Sequence, residues 1–374
     1  MKIVVVNKHP KDALGGSEIQ SDRIAARLLH RGHEVLYAVA KPGSETRDVP
    51  YRTRSLGGVL DLRRMLRTER PDVVYWRYNR SMLLAAALCC RRLGVPLVFA
   101  ISHVNDVRRW VRVRRNLRPS HPLLFLRHVV YIVKHTLSAR INYAAFRYVS
   151  GFTSVAAELL ERLPAACRSR SRHIRSIAGA LEAEAFAWPR PYAVWVANVK
   201  RAKNPEAVVR AAGLCRGIGL DFLMVGRIQE ASYAYLARGG GLPENLHFLG
   251  SRTPGQVEGI IAGARMLIHT CHPEGFPNVF IQAWCLGKPV ISLNYDPDGV
   301  IERERIGYLS GDLPAMAAQI RRLHDDGKLR MEMGRRAAGV ACGLFDPERN
   351  IVELEAFLAA VVADHSGGTG DGNG

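Results

Sequence analysis

Short apolar runs alternate with amphipathic stretches along nearly the whole chain. Lys2–Val6 reads as a strand and Glu34–Ala40 as another, since brief runs of this kind suit strands covered on both faces. Between them Ser17-Glu18-Ile19-Gln20 has the form of a capping box, and Ile24, Leu28 and Leu29 carry one apolar face on until Gly32 stops the helix. Further strands are expected at Asp72–Trp76, Pro96–Ile101, Gly151–Ser154 and Arg172–Ile177.

The pattern then restarts. Tyr192–Ala197 reads as a strand, and Asn204-Pro205-Glu206 opens the helix after it with Pro at the first helical position. Leu220–Val225, Leu246–Leu249, Met266–Thr270 and Val290–Leu293 follow as strands, with helices starting near Glu230, Pro254 and Pro277. Two successive α/β units, each opening strand–loop–helix, predict two doubly wound Rossmann-like domains. The boundaries expected are 1–185 and 186–364, joined where Trp188-Pro189-Arg190-Pro191 interrupts the periodicity. Asp346-Pro347-Glu348 starts a last helix, and the Gly-rich residues 365–374 read as a flexible tail.

Length agrees with this division, because 374 residues suit two domains better than one. Every long apolar stretch is interrupted by charge, Ser81–Ala100 by Arg91-Arg92 among them, so no membrane span is expected. Seven cysteines without a Cys-x-x-Cys pair suit a reducing, cytoplasmic setting and no zinc site.

Charge divides the chain more sharply than composition does. Residues 1–185 hold 33 Lys and Arg against 14 Asp and Glu, whereas residues 186–374 hold 20 of each, so the first half carries the entire net charge of +19. Residues 101–150 are the densest, with ten basic residues and one acid, Asp106. Within them Val107–Arg118 reads as a basic amphipathic helix, with Trp110, Val113 and Leu117 on one face and Arg108, Arg112 and Arg115 on another. Such a helix fits an anionic membrane surface, where each basic residue contributes about 1 kcal/mol, and it fits an ordinary surface helix equally. Nucleic acid ranks last as a partner, because no helix-turn-helix, zinc finger or RNP-like motif accompanies the charge.

Two stretches carry candidate chemistry. Gly15-Gly16-Ser17-Glu18 lies between the first strand and the first helix, where glycines let the backbone approach a phosphate; it lacks the Gly-x-Gly-x-x-Gly of a dinucleotide site. The stronger stretch is His272-Pro273-Glu274-Gly275-Phe276-Pro277-Asn278-Val279-Phe280, followed by Gly287-Lys288-Pro289. The amides of Gly275, Phe276, Asn278 and Val279 would point out of a positive helix end, as a diphosphate requires. Glu274 beside that anion site makes sense if it binds something rich in hydroxyls, such as a sugar. Asp296-Pro297-Asp298 has the spacing of a metal-binding acidic pair, but Pro297 and Gly299 mark it as a turn. Cys89-Cys90 lies in an apolar run that reads as core.

Glu-Gly-Phe-Pro-Asn-Val after a strand, with Gly-Lys-Pro-Val closing the helix, resembles the donor site of retaining GT-B glycosyltransferases of family 4. The Gly15-Gly16 loop, Lys203, Val225-Gly226, Phe248-Leu249-Gly250 and Ile306-Gly307-Tyr308 fall in the order this family shows. The resemblance spans residues 1–364; it is specific over 266–291 and weak over 41–150. It implies an α/β GT-B fold, two Rossmann-like domains facing across a cleft with the C-terminal helix crossing back to the first. It further implies that Glu274 holds hydroxyls of the donor sugar and that the amides of Gly16 and of Gly275, Phe276, Pro277, Asn278 and Val279 form the diphosphate cradle, Pro277 contributing its fixed backbone alone. Lys203 would neutralise the leaving phosphate, His103 would stand near acceptor and donor sugar, and Gly226 would lie near the nucleotide base. No metal and no cofactor are implied, the donor being a UDP- or GDP-linked sugar.

This sequence departs from the family pattern at two positions. The acid that usually binds ribose is Gln282, which implies weaker nucleotide binding, since a bond to a charged acceptor is worth about 1.5–3 kcal/mol and a neutral one about 0.5–1.5 kcal/mol. Asn198 stands where many relatives carry Arg, leaving Lys200 or Arg201 to supply the second cation. The function implied is transfer of a sugar to an acceptor hydroxyl, with a lipid-linked glycan or polysaccharide acceptor at the inner membrane face accounting for the charge. The rivals are a nucleotide-sugar 2-epimerase or glycogen-type synthase of the same fold, a basic nucleic-acid-binding protein, and an inactive glycosyltransferase-like partner.

Overall fold

The computed structural model describes residues 1–11, 15–40, 48–78, 80, 82–109, 122–271 and 275–367. These form two compact units, one from the described residues within 1–177 and 348–367 and the other from those within 178–347.

In the first unit seven strands, β1 (Lys2–Asn7), β2 (Glu34–Ala40), β3 (Arg52–Leu56), β4 (Val73–Trp76), β5 (Leu97–Ile101), β6 (Gly151–Ser154) and β7 (Ser171–His173), run parallel in the order 3-2-1-4-5-6-7. Alternate residues of β1 explain why both faces are covered. Val4 and Val6 share a face of the sheet with Phe99 and form one core cluster with Leu62 and Ala86. Ile3 and Val5 face Ile24 and Leu28 of the helix Gly16–His30, together with Ile351, Leu354 and Leu358. Those last three lie on the C-terminal helix Pro347–Gly367, which therefore crosses back to the first unit. Arg27 pairs with Glu348 and Arg31 with Glu355 along this seam.

The second unit repeats the plan. Strands β8 (Tyr192–Val196), β9 (Asp221–Val225), β10 (Leu246–Gly250), β11 (Met266–His269), β12 (Val290–Ser292) and β13 (Gly307–Leu309) run parallel in the order 10-9-8-11-12-13. Trp195, Phe222, Met224 and Ile268 pack on Val208, Ala211, Met316 and Ile320. Each sheet thus reverses strand order at one point, between β1 and β4 and between β8 and β11, where open α/β sheets bind ligands beyond their strand ends.

Several expectations need correction. Strand β3 has the sequence Arg-Thr-Arg-Ser-Leu and is invisible to an apolar pattern, as befits an edge strand. The strand expected over Arg172–Ile177 ends at His173. Ser17-Glu18-Ile19-Gln20 is not a capping box: the helix begins at Gly16 with Gly15 as its cap, and no side chain caps it. Gln20 is instead buried and holds the Ile177 backbone from both sides, through Nε2 to the carbonyl and through Oε1 from the amide, each at 2.9 Å. The expected helix Val107–Arg118 does not start as drawn, since Val107 ends a short turn and Arg108 is extended; residues 110–118 lie outside the described ones. No described helix is long and apolar enough to cross a membrane.

Candidate functional site

In the second unit the segments after β8, β9 and β11 meet at one sheet edge. After β8 the chain passes Asn198 and turns through a short 3-10 helix, Arg201–Lys203, before Asn204 and Pro205 start the next helix. Val199 pairs with Ile228 in an isolated bridge that holds this segment beside the loop after β9. That loop begins at Gly226, whose φ of +151° suits glycine and where a Cβ would run into the Ala197 carbonyl. Lys203, Lys200 and Asn198 are half-buried, and Arg201 is exposed.

Beyond β11, Thr270 joins two of these segments. Its buried Oγ1 accepts from Trp195 Nε1 at 3.0 Å and donates to the Lys203 carbonyl at 2.9 Å. On the other side, Tyr295 Oη donates to the Gly275 carbonyl at 2.6 Å, and Ser292 Oγ donates to the Tyr295 carbonyl at 2.5 Å while lying 3.1 Å from His269 Nδ1. Phe276 is anchored between Trp284 and Phe345, with ring centroids 6.1 and 5.1 Å away. The backbone of the Gly275 loop is thus fixed from below by a tyrosine and from the side by aromatic packing.

The helix that follows runs Asn278–Cys285, one residue later than expected, with Pro277 as its cap and no capping side chain. Phe280 donates to the Pro277 carbonyl, but the amides of Gly275, Phe276 and Val279 donate to nothing among the described residues. Unpartnered amides at a helix start form an anion site, because the N–H groups and the helix dipole both favour negative charge. Gln282 lies half-buried on the same helix. Glu274, with His272 and Pro273, lies outside the described residues.

The remaining candidates belong to the first unit. Gly15 is the half-buried cap of the first helix and Gly16 its exposed first residue. His103 follows β5 and caps the four-residue turn Val104–Val107, its Nδ1 accepting from the Asn105 amide at 3.0 Å. Asp106 in that turn accepts from the Ser102 and His103 amides at 3.1 and 2.8 Å. Burial pushes its carboxyl above the usual range, against the pull of those amides and of His103.

Asp296 takes a structural part. Its oxygens accept from the Ile301 and Glu302 amides at 2.8 and 3.1 Å, capping the turn that follows. Among the described residues no three His, Cys, Asp or Glu side chains form a metal-binding group. Cys89 and Cys90 are free thiols packed in the core of the first unit. Thr270, Trp195 and Tyr295 escaped sequence reading because each acts through a backbone carbonyl or a neighbouring side chain distant in the chain.

Two family models match the sequence: Glycosyltransferase Family 4 over residues 14–177 and Glycosyl transferases group 1 over residues 182–340. The chain is a GT-B glycosyltransferase. No curated protein matches it. Among solved structures, the Anabaena protein Alr3699/HepE in complex with UDP-glucose is 16% identical, with a TM-score of 0.71, covering 96% of this chain and 100% of its own. Sucrose-phosphate synthase from Thermosynechococcus elongatus is 15% identical, with a TM-score of 0.74 over 97% of this chain and 100% of its own. WaaG, a glycosyltransferase involved in lipopolysaccharide biosynthesis, is 15% identical, with a TM-score of 0.64 over 93% and 98%. At these identities the likeness concerns the fold, and the two Rossmann-like units of this glycosyltransferase agree with it.

Proposed function

We propose that this glycosyltransferase moves a sugar from a UDP- or GDP-linked donor to an acceptor hydroxyl with retention at the anomeric carbon. The carrying observation is the set of unpartnered amides at Gly275, Phe276 and Val279, on the sheet edge where Thr270 also holds the Lys203 turn. A diphosphate seated there would meet N–H donors and the Lys203 ammonium. Both stabilise the charge that grows on the leaving phosphate, for which a single donor can be worth about 2.7–4 kcal/mol.

In this reading the bond between the anomeric carbon and the diphosphate oxygen breaks, and the acceptor oxygen bonds to the same face of that carbon. The acceptor proton passes to a leaving-phosphate oxygen, so no protein carboxylate is needed at the anomeric centre, and no metal. Glu274 holds donor hydroxyls and Gln282 the ribose. The Anabaena protein solved with UDP-glucose supports a nucleotide-sugar donor.

The acceptor is a lipid-linked glycan or polysaccharide at the cytoplasmic membrane face. Besides the charge of the first unit, the helix Pro122–Ala144 supports this: Leu126, Val130, Val133, Leu137 and Ile141 recur at helical spacing, each at least 46% exposed. Such a stripe beside exposed Lys134 suits an interfacial helix on anionic lipid.

The test is turnover of nucleotide sugars in the presence and absence of lipid-linked acceptors, for wild type and Glu274→Ala. Acceptor-dependent release of nucleoside diphosphate that Glu274→Ala abolishes, at unchanged melting temperature, is expected. Undiminished turnover in Glu274→Ala would refute the site, and conversion of the donor without acceptor would favour epimerisation.

A further inference from the structure

The starts of β5, β6 and β7 form the sheet edge away from the strand ends that carry His103, and there the first unit has a cavity of about 640 Å³. This volume lies in the range of small-molecule sites. Arg91, Arg147, Arg170 and Arg172 line it, with Asp364 as the one carboxylate. None of the four arginines forms an ion pair with a carboxylate among the described residues.

Three of the guanidinium groups are held by neutral partners. Arg91 and Arg147 lie over the Tyr148 ring, 5.3 and 5.8 Å from its centroid. Arg170 donates to the Phe146 carbonyl at 2.7 Å and lies 5.7 Å from the centroid of the Phe152 ring. Its Nε is buried without a partner, and so is Nε2 of His365, which lines the same cavity from the C-terminal helix. Buried polar nitrogens are nearly always satisfied, so these orphans mark a wall where positively charged donors outnumber the protein's own acceptors. Ser150 adds a hydroxyl whose oxygen accepts from the Leu97 amide at 3.2 Å, leaving its own hydrogen to donate.

Part of the wall is apolar. Phe357 and Val361 approach Gly151 so closely that a Cβ there would stand 3.0 Å from each, and both line the cavity with Val149. We infer that this cavity is a second anion site, distinct from the donor site, for an organic phosphate: a phosphate gripped by the arginine forks and His365, with an apolar or ring-shaped body against the C-terminal helix. Planar guanidinium forks match phosphate oxygens bidentately. A soluble sugar or aryl phosphate and a phospholipid headgroup share this chemistry.

The probe is phenyl phosphate, titrated calorimetrically into the full chain, into the double variant Arg147→Glu/Arg172→Glu, and into Lys203→Ala. Expected is one-to-one binding that weakens at least tenfold in the double variant and persists in Lys203→Ala, with melting temperatures unchanged. Displacement of the probe by phosphatidylcholine vesicles containing phosphatidic acid, but not by phosphatidylcholine alone, would assign the site to a lipid headgroup. Undisturbed binding would assign it to a soluble phosphate. No saturable binding to wild type, equal affinity in the double variant, or loss in Lys203→Ala alone would each overturn the proposal.

Discussion

Thr270 Oγ1 donates to the Lys203 carbonyl at 2.9 Å and so joins the end of β11 to the turn after β8. The same oxygen accepts from the buried Trp195 indole at 3.0 Å. One hydroxyl thereby holds the segment that carries the proposed phosphate-binding cation.

Thr270→Val keeps the shape and removes both bonds. The stranded indole nitrogen should cost about 1–3 kcal/mol of stability in the second unit. If the bond positions Lys203, kcat should fall at least tenfold while KM changes little, and Thr270→Ser should restore both rate and stability. A loss of stability with unchanged kcat would reduce Thr270 to a packing role.

Gln282→Glu is expected to bind nucleoside diphosphate as tightly as wild type or more tightly, because a charged acceptor strengthens bonds to the ribose hydroxyls. Calorimetry on the two proteins compares them directly. Clear weakening would mean that the ribose is held elsewhere.

Membrane docking through the helix Pro122–Ala144 is open to a surface test. Val130 and Val133 are 58% and 57% exposed, so Val130→Asp/Val133→Asp should leave folding intact. Co-sedimentation with phosphatidylglycerol vesicles should fall about tenfold or more, through lost apolar burial and added repulsion. Equal binding of variant and wild type would place the membrane contact on other residues, and a change in oligomeric state would show the stripe to be a contact between copies of this chain.

The seam of the C-terminal helix predicts a pH effect. Burial alone would raise the Glu355 carboxyl, but Arg31 Nε at 2.6 Å and His33 Nε2 at 3.0 Å outweigh it and hold the group below the ordinary glutamate value. Its contribution is therefore present above the unfolded value of about 4.3 and is lost as pH falls through the lower folded value. Glu355→Gln should cost about 1 kcal/mol at neutral pH and make the acid limb of the stability profile shallower. Parallel profiles for variant and wild type in denaturant titrations would contradict this.

What the sequence discloses follows from what each residue does. Strands such as Lys2–Asn7 and Tyr192–Val196 are legible because burial on both faces demands an unbroken apolar run. Arg52–Leu56 is not, because an edge strand tolerates charge. The Gly275–Val279 segment stands out because an anion cradle needs glycine, proline and a helix start in sequence. Gln20 misleads: its spacing from Ser17 imitates a cap, but its side chain serves Ile177, 157 residues away. Thr270 and Tyr295 are silent for the same reason, since their work is set by partners that only folding brings near.

The donor site itself is tested most directly by calorimetric binding of UDP, GDP and ADP to wild type and to Lys203→Ala at near-physiological salt. One nucleoside diphosphate should bind wild type one-to-one and saturably, and Lys203→Ala should weaken it at least about tenfold, as loss of a bond to a charged group requires. Failure of all three to bind wild type, or equal affinity in Lys203→Ala, would contradict the account.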